Sequence, residues 1–544
     1  MSSSLDDVEH KCNELMEKAV SATELHVRLQ RDLSIEVRLK DGNGFLPKIT
    51  FPVATSGMAS SSHSHVFSTL ARIVGTNGLP NVGSLCIDLP KGVDGRNDTH
   101  TTEMAPFIQS IAGSSTIQRI HVGVNNIGRA PARAIQPFPN DATESTDLVC
   151  VVAALATNLV SPQSVLKKLL FRTIAFDDEL LTIFCELLSA NQCRLVELRL
   201  EDCRFPTLGP VWSALAANQS ISTLDFYHAG MQGDTHETRN GTQQLQSMLK
   251  TNTTMKNLKM TCRSPGFPNS FFAALGAGLA LNSTLTTLDL PFGSDSEQGY
   301  INVLFEDGLD RNTGLEKLQL EVHSLNDAHD LVCGLDRMAQ NLSNKRSLDG
   351  SRKVSPLKHL HFYFDWEDNF EECADIILDG LIPNSEYFAL EEIHSECRDL
   401  EDYVYGVSLF STLATFILVF PTVSVVTMST CNETVDDSNL STLADAMEDN
   451  TTLTEFQFDK IDATGDFSRR NRWSPSDNPN HARILCSVLR NRRELPLFVE
   501  SSKKNLLPSA LATLVEPKGF EAVHVVNLTH AFHLIRNLPE LFSS

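Results

Sequence analysis

Apolar side chains recur along this chain at offsets 0, +3 and +5 of short segments, each opened by a polar turn. Asn282-Ser283-Thr284, followed by Leu285, Leu288 and Leu290, is the clearest copy. The last two apolar positions alternate with polar ones, which is the period of a strand with one buried face. The set runs Val82/Leu85/Ile87, Ile117/Ile120/Val122, Leu166/Leu169/Phe171, Leu195/Leu198/Leu200, Ile221/Leu224/Phe226 and Met255/Leu258/Met260. It continues through Leu285/Leu288/Leu290, Leu315/Leu318/Leu320, Leu357/Leu360/Phe362, Leu390/Ile393/Ser395, Val423/Val426/Met428 and Leu453/Phe456/Phe458. First positions are 35, 49, 29, 26, 34, 30, 30, 42, 33, 33 and 30 residues apart. Ser395 is the one polar residue in these slots.

Between the strands lie amphipathic helical stretches, such as Asp178–Ala190, Gln243–Lys250, Phe271–Leu281 and Leu440–Glu448. A strand–helix unit of this length cannot bury its own apolar face, so neighbours must stack. Helices are wider than strands, and the stack is therefore expected to curve. The expected fold is an α/β solenoid, a curved horseshoe with a parallel β-sheet on the concave face and α-helices on the convex face. About 11–13 repeats fit.

The pattern places repeats over residues 81–492, an N-terminal helical and strand cap over 1–80, and a C-terminal helical cap over 493–544. Residues 5–32 read as one helix with Leu5, Val8, Cys12, Leu15 and Ala19 on one face. That seam fades too early for a coiled coil, which leaves a capping helix. Alternation at Ile35, Val37 and Leu39 predicts a strand, residues 55–64 a loop, and Val66 to Val74 a helix. Long steps mark insertions at about 129–145 and 342–355, and a further loop spans 462–480. Loops of this length carry function or disorder. Tyr403 to Asn432 contains no charged residue, which raises a membrane helix. Pro421, the polar face of Ser408, Ser411, Thr412 and Thr415, and the strand register at Val423 favour a buried repeat helix instead.

Composition narrows the function. The 544 residues hold 68 acidic and 45 basic side chains, a net charge of -23. No dense basic stripe is available to neutralise phosphates, so nucleic acid is not an expected partner. The 12 cysteines form no C-x-x-C pair, which argues against a zinc site or a disulfide framework. The acidic N-terminus lacks an apolar core of the signal-peptide kind, and a cytoplasmic or nuclear location is expected. Ten N-x-[ST] matches occur, and those at Asn218, Asn252, Asn282 and Asn450 sit just before strands, where turn residues belong. The chain has no P-loop, H-E-x-x-H or G-x-S-x-G motif. A non-enzyme with no cofactor is expected.

The motif L-x-x-L-x-L-x-x-[N/C]-x-L with a full helix resembles the ribonuclease-inhibitor-like class of leucine-rich repeat proteins. Asn125, Cys203 and Cys431 occupy its +8 position. A protein partner is expected from the large preformed surface without catalytic motifs, with a monomeric chain, and the resemblance implies that a small polar group at +8 bonds the backbone of adjacent repeats. It also brings in a Ran-type GTPase activator, though the acidic tail of that family is missing here. A ubiquitin-ligase adaptor would need an F-box, which residues 1–60 lack.

The +2, +4 and +6 positions of each strand face away from the leucines. Candidate partner-binding residues there are Arg119, Lys168, Arg199, Asp225, Tyr227, Asp289, His359, His361, Tyr363, Glu392 and His394. Early strands lean basic and late ones acidic, an arrangement able to orient a charged partner. Register puts His361 beside His394 and His359 beside Glu392. Such a cluster could hold a metal, but a polar binding patch anchored by Tyr363 is the expectation.

Overall fold

The structure is a computed structural model. It describes residues 5–29, 35–41, 44–46, 48–51, 66–71, 82–90, 107–108, 114, 116–125, 152–156, 164–227, 230–231, 235–261, 267–290, 299–344, 354–364, 370–397, 409–430, 437–460 and 479–491. The insertions at 129–145 and 462–478, most of that at 342–355, and the C-terminal segment 493–544 lie outside the described residues. The chain divides into two compact units, Met1–Ser296 and Glu297–Ser544.

The first unit opens with α1 (Leu5–Lys18) and a 3₁₀ turn, Ala19–Ser21. The single helix expected over 5–32 is overturned, because β1 (Glu24–Leu29) follows at once. Ala22, Leu25 and Val27 are all buried and keep the 0, +3, +5 spacing, so β1 is a further strand of the repeat pattern. Its first slot holds alanine, and 60 residues separate it from Val82, which hid the period. β2 (Ile35–Asp41) folds back antiparallel on β1, with β3 (Gly44–Phe45) and β4 (Ile49–Phe51) along its outer edge. These short antiparallel pieces cover one edge of the sheet, which would otherwise offer unpaired backbone groups.

From β1 the ladder is parallel. β5 (Ser84–Pro90), β6 (Arg119–Asn125), β7 (Lys168–Arg172), β8 (Glu197–Glu201), β10 (Thr223–Tyr227), β12 (Asn257–Thr261) and β13 (Thr287–Leu290) pair in that order. A side ladder of β9 (Arg204–Phe205) and β11 (Gly230–Met231) lies beyond the strand ends. Helices α2 (Asp178–Ser189), α3 (Gly209–Ala217), α4 (Thr235–Thr251) and α5 (Asn269–Leu279) return the chain between strands. Asp177 caps α2 by accepting the Leu180 N–H at 2.7 Å, which satisfies a donor that the first turn leaves open. The leucine face meets these helices directly. Phe171 lies edge-on to Phe184 at 5.7 Å, and Trp212 is tilted against Phe226 at 5.1 Å.

The second unit repeats the scheme. α6 (Tyr300–Glu306), α7 (Leu325–Asn344), α8 (Phe370–Leu381), α9 (Leu409–Val419), α10 (Asp437–Asp449) and α11 (Pro479–Asn491) alternate with strands. These are β14 (Lys317–Val322), β15 (His359–Phe364), β16 (Glu392–Cys397), β17 (Val425–Thr430) and β18 (Glu455–Lys460), all parallel in sequence order. The described part of the uncharged stretch holds β17 and α9, a helix only 11 residues long. Its Leu413, Phe416 and Ile417 are buried, while Ser411 and Thr415 are exposed. Among the described residues no helix is long and apolar enough to cross a membrane.

Every described 0, +3 and +5 side chain is buried except Phe456 on β18, which is half-exposed. Ser395 is buried too, so even the polar exception sits in the core slot. Each fully buried leucine or phenylalanine contributes roughly 1.5–3 kcal/mol relative to exposure, and this repeated burial is the main force holding strands in register.

A second device joins neighbouring repeats. Asn218, Asn252, Asn282 and Asn450 are buried where helix turns into strand. Each Oδ1 accepts the N–H groups two and three residues on, as at Thr284 (2.9 Å) and Leu285 (2.7 Å) for Asn282. Each Nδ2 donates backwards, Asn218 to Leu188 O at 2.6 Å, Asn252 to Leu215 O at 2.7 Å, and Asn450 to Ile417 O at 3.1 Å. The turn-residue reading of these asparagines holds, and the turn also clamps the preceding repeat. Ser114 and Ser355 take the accepting half of this role with their hydroxyls. At the +8 position Cys203, buried and with its thiol pushed up to about 12 by burial, donates Sγ–H to Phe171 O at 3.4 Å. The side chain of Asn125, and Cys431 altogether, lie outside the described residues.

Candidate interaction face

The alternation that buries the leucines turns the intervening side chains to the opposite face of each sheet. In β8, Leu198 and Leu200 are buried while Glu197, Arg199 and Glu201 remain half-exposed. Parallel pairing then brings equivalent positions of successive repeats to about 4.8 Å. Residues some thirty apart in sequence become neighbours on one polar face.

In the first unit this face is a lattice of cross-strand ion pairs. Lys168 on β7 pairs with Glu197 on β8. Arg172 Nε is 3.2 Å from Glu201. Arg199 bridges forward, with Nε 3.4 Å from Asp225, and also lies 3.8 Å from Glu201 on its own strand. Its guanidinium stands 5.5 Å from the centre of the Tyr227 ring, within cation–π range. Lys259 Nζ is 2.8 Å from Asp289. Arg28 and Asp88 repeat the motif between β1 and β5 at 3.2 Å. The basic lean expected of the early strands is thus offset rung by rung. Burial raises the Asp225 carboxyl above its ordinary value, and Arg199 and Lys259 oppose that shift. Arg119 is exposed on β6, between Ser84 and Lys168 in register.

In the second unit the face is built from imidazoles. His359 pairs with Glu392 and His361 with His394 in the register, as the spacing predicts. Glu392 is held from two sides, its Oε2 2.9 Å from His359 Nδ1 and its Oε1 3.0 Å from His361 Nε2. His361 stacks on His394 with centroids 4.9 Å apart, and Tyr363 meets His394 edge-on at 5.9 Å. The His361 contact, aided by His359, holds the Glu392 carboxyl down at about 2 despite partial burial. Burial drives His361 below its usual value, with Lys317 and His394 adding to the shift. The His359 Nδ1 contact has hydrogen-bond geometry, whereas His361 Nε2 lies within ion-pair distance of Glu392 without it. With two imidazoles within 3.0 Å of one carboxylate, the cluster is a polar patch. No group of three or more His, Cys, Asp or Glu among the described residues is arranged to hold a metal ion.

The expected site residues therefore fall into two sets. Arg119, Lys168, Arg199, Asp225, Tyr227 and Asp289 lie on the first unit's face, and His359, His361, Tyr363, Glu392 and His394 on the second's. The pairing partners Glu197, Glu201, Arg172 and Lys259 belong to the same lattice but were not singled out. Their signal was available as opposite charges one repeat apart, and it can be read only once the register is known.

No protein-family model matches the chain, and no curated protein matches it. Among solved structures, it is similar to the leucine-rich repeat-containing protein LegL7 from Legionella pneumophila, at 11% identity and a TM-score of 0.30, over 59% of this chain and 97% of that one. A protein from Bacteroides fragilis covers 79% of this chain and 90% of its own, at 12% identity and a TM-score of 0.28. Likeness at this level adds nothing to what the strand register itself shows.

Proposed function

We propose that this chain is a leucine-rich repeat solenoid of the ribonuclease-inhibitor-like class that acts as a non-catalytic scaffold, binding another protein on its polar strand face as a monomer. The observation that carries this reading is the face itself. Parallel ladders backed by buried leucines and asparagine clamps hold aromatic and charged side chains in fixed rows. A preformed surface limits the ordering cost that association would otherwise impose. The anchors are Arg199 with Tyr227, and Tyr363 with His361 and His394, since aromatic and arginine side chains dominate binding energy at protein interfaces. The ion-pair lattice and the Glu392–imidazole cluster tie up the titratable groups and favour recognition over chemistry.

Affinity capture with the full chain, followed by mass spectrometry, identifies the partner. Arg199→Glu and Tyr363→Ala are expected to weaken that complex at least tenfold each while leaving the circular-dichroism spectrum unchanged. Undiminished capture by both variants would place the binding surface elsewhere.

A further inference from the structure

Four of the ten N-x-[ST] sequences begin at the clamp residues Asn218, Asn252, Asn282 and Asn450. The structure accounts for both ends of the tripeptide. The asparagine must donate to the previous repeat and accept from its own turn. The hydroxyl two residues on reaches the previous repeat as well, Thr254 Oγ1 to Ile221 O at 3.3 Å, Thr284 Oγ1 to Asn252 O at 3.3 Å and Thr452 Oγ1 to Val423 O at 3.0 Å. A glycosylation consensus thus arises as a by-product of stacking.

The same geometry leaves no room for the modification. N-glycosylation forms a C–N bond at Nδ2, replaces one amide hydrogen, which leaves as a proton, and releases the lipid pyrophosphate carrier. Asn252 directs Nδ2 at two carbonyls, Leu215 O at 2.7 Å and Asn218 O at 3.2 Å. Asn282 does the same with Leu249 O at 2.5 Å and Asn252 O at 3.4 Å. Neither has a hydrogen to give up, and all four side chains are buried between repeats. A glycan attached before folding would separate the repeats it was attached between and leave buried backbone carbonyls unbonded.

We propose that N-glycosylation at Asn218, Asn252, Asn282 and Asn450 and the native fold exclude one another, and that this chain folds in a compartment without N-glycosylation. The consequence concerns location and biogenesis and does not depend on which partner the strand face binds. A secretory chain would meet the glycosylating enzyme before its repeats had closed, at four positions where the fold cannot accept the product.

The test is to make the full chain in a glycosylating eukaryotic cell, once as it stands and once behind a cleavable secretion signal, with and without tunicamycin. The expected result is bare asparagines and protease resistance without the signal. With the signal, glycans on the clamp asparagines and a several-fold faster digestion are expected, the resistance returning when tunicamycin blocks glycan supply. A glycan on Asn252 or Asn282 in protease-resistant protein would overturn the exclusion. So would sensitivity that tunicamycin leaves unchanged. A lumenal chain that folds with all four asparagines bare would overturn the inference about compartment.

Discussion

Glu392 Oε1 lies 3.0 Å from His361 Nε2 across the β15–β16 rung, and the two groups titrate in ways that penalise the folded state in acid. Glu392 drops from 4.5 to about 2 on folding, so the unfolded chain takes up its proton first. Its contribution is complete above pH 4.5 and is lost as pH falls towards 2. His361 is lowered from 6.5, mainly by burial, so the unfolded chain again binds the extra proton, and stability declines once pH drops below 6.5. Glu392 is half-buried and partly screened by water, so the carboxylate component is on the order of 1 kcal/mol. Urea midpoints at pH 3, 5 and 7 are expected to fall more steeply for the wild type than for Glu392→Gln between pH 5 and 3. Equal slopes would remove the carboxylate from the account.

The Asn252 side chain bonds four backbone groups, donating to Leu215 O and Asn218 O and accepting from Thr254 N and Met255 N, and it also accepts from the Thr254 hydroxyl at 3.1 Å. Asn252→Ala strands all four partners at a buried turn and is expected to cost about 2–4 kcal/mol. Asn252→Ser keeps an acceptor for the turn, as Ser355 does naturally, and is expected to cost roughly half as much. Hydrogen exchange at the Thr254 and Met255 amides reads the loss locally, and unchanged protection in the alanine variant would show that the clamp is not needed.

What could be read from the sequence followed from spacing. The 0, +3, +5 leucines, the helices between them and the His359–Glu392 and His361–His394 neighbours are all consequences of two short periods and one long one. Ala22, Leu25 and Val27 escaped because alanine is a weak apolar signal and because Ala19, Ala22 and His26 also keep a helical spacing. Asn218 and its equivalents were legible as turns, but their clamp onto the preceding repeat is a contact across some thirty residues. The lattice from Lys168 to Asp289 was hidden for the same reason. Its charges look like a gradient in sequence and like paired rungs once the strands lie side by side.

Gly334 on α7 faces Phe305 on α6 so closely that an added Cβ would sit 2.4 Å from the ring. Gly380 on α8 meets Val332 on α7 at the same 2.4 Å. Alanine would ordinarily strengthen a helix by about 0.5–1 kcal/mol over glycine. Here overpacking opposes that gain, and Gly334→Ala is expected to be destabilising by about 1–3 kcal/mol. Adding Phe305→Leu should recover part of the loss, because the ring is what the methyl strikes. A stabilised Gly334→Ala variant in thermal unfolding would show that the two helices sit further apart.

The Lys259–Asp289 pair separates recognition from folding on the strand face. Its side chains are 2.8 Å apart, with the lysine 38% exposed and the aspartate 11%. A pair open to water on one side contributes about 0.2–1 kcal/mol at most, and salt screens it further. A double-mutant cycle with Lys259→Ala and Asp289→Ala is expected to give a coupling under about 1 kcal/mol that shrinks at high salt. The buried leucines beneath already fix the register, so the lattice is free to be used on its outer side. A coupling above about 2 kcal/mol would mean that these charges help hold β12 to β13. The partner-binding role of the first unit would then rest on the other residues of its face, with Arg199 and Tyr227 as anchors.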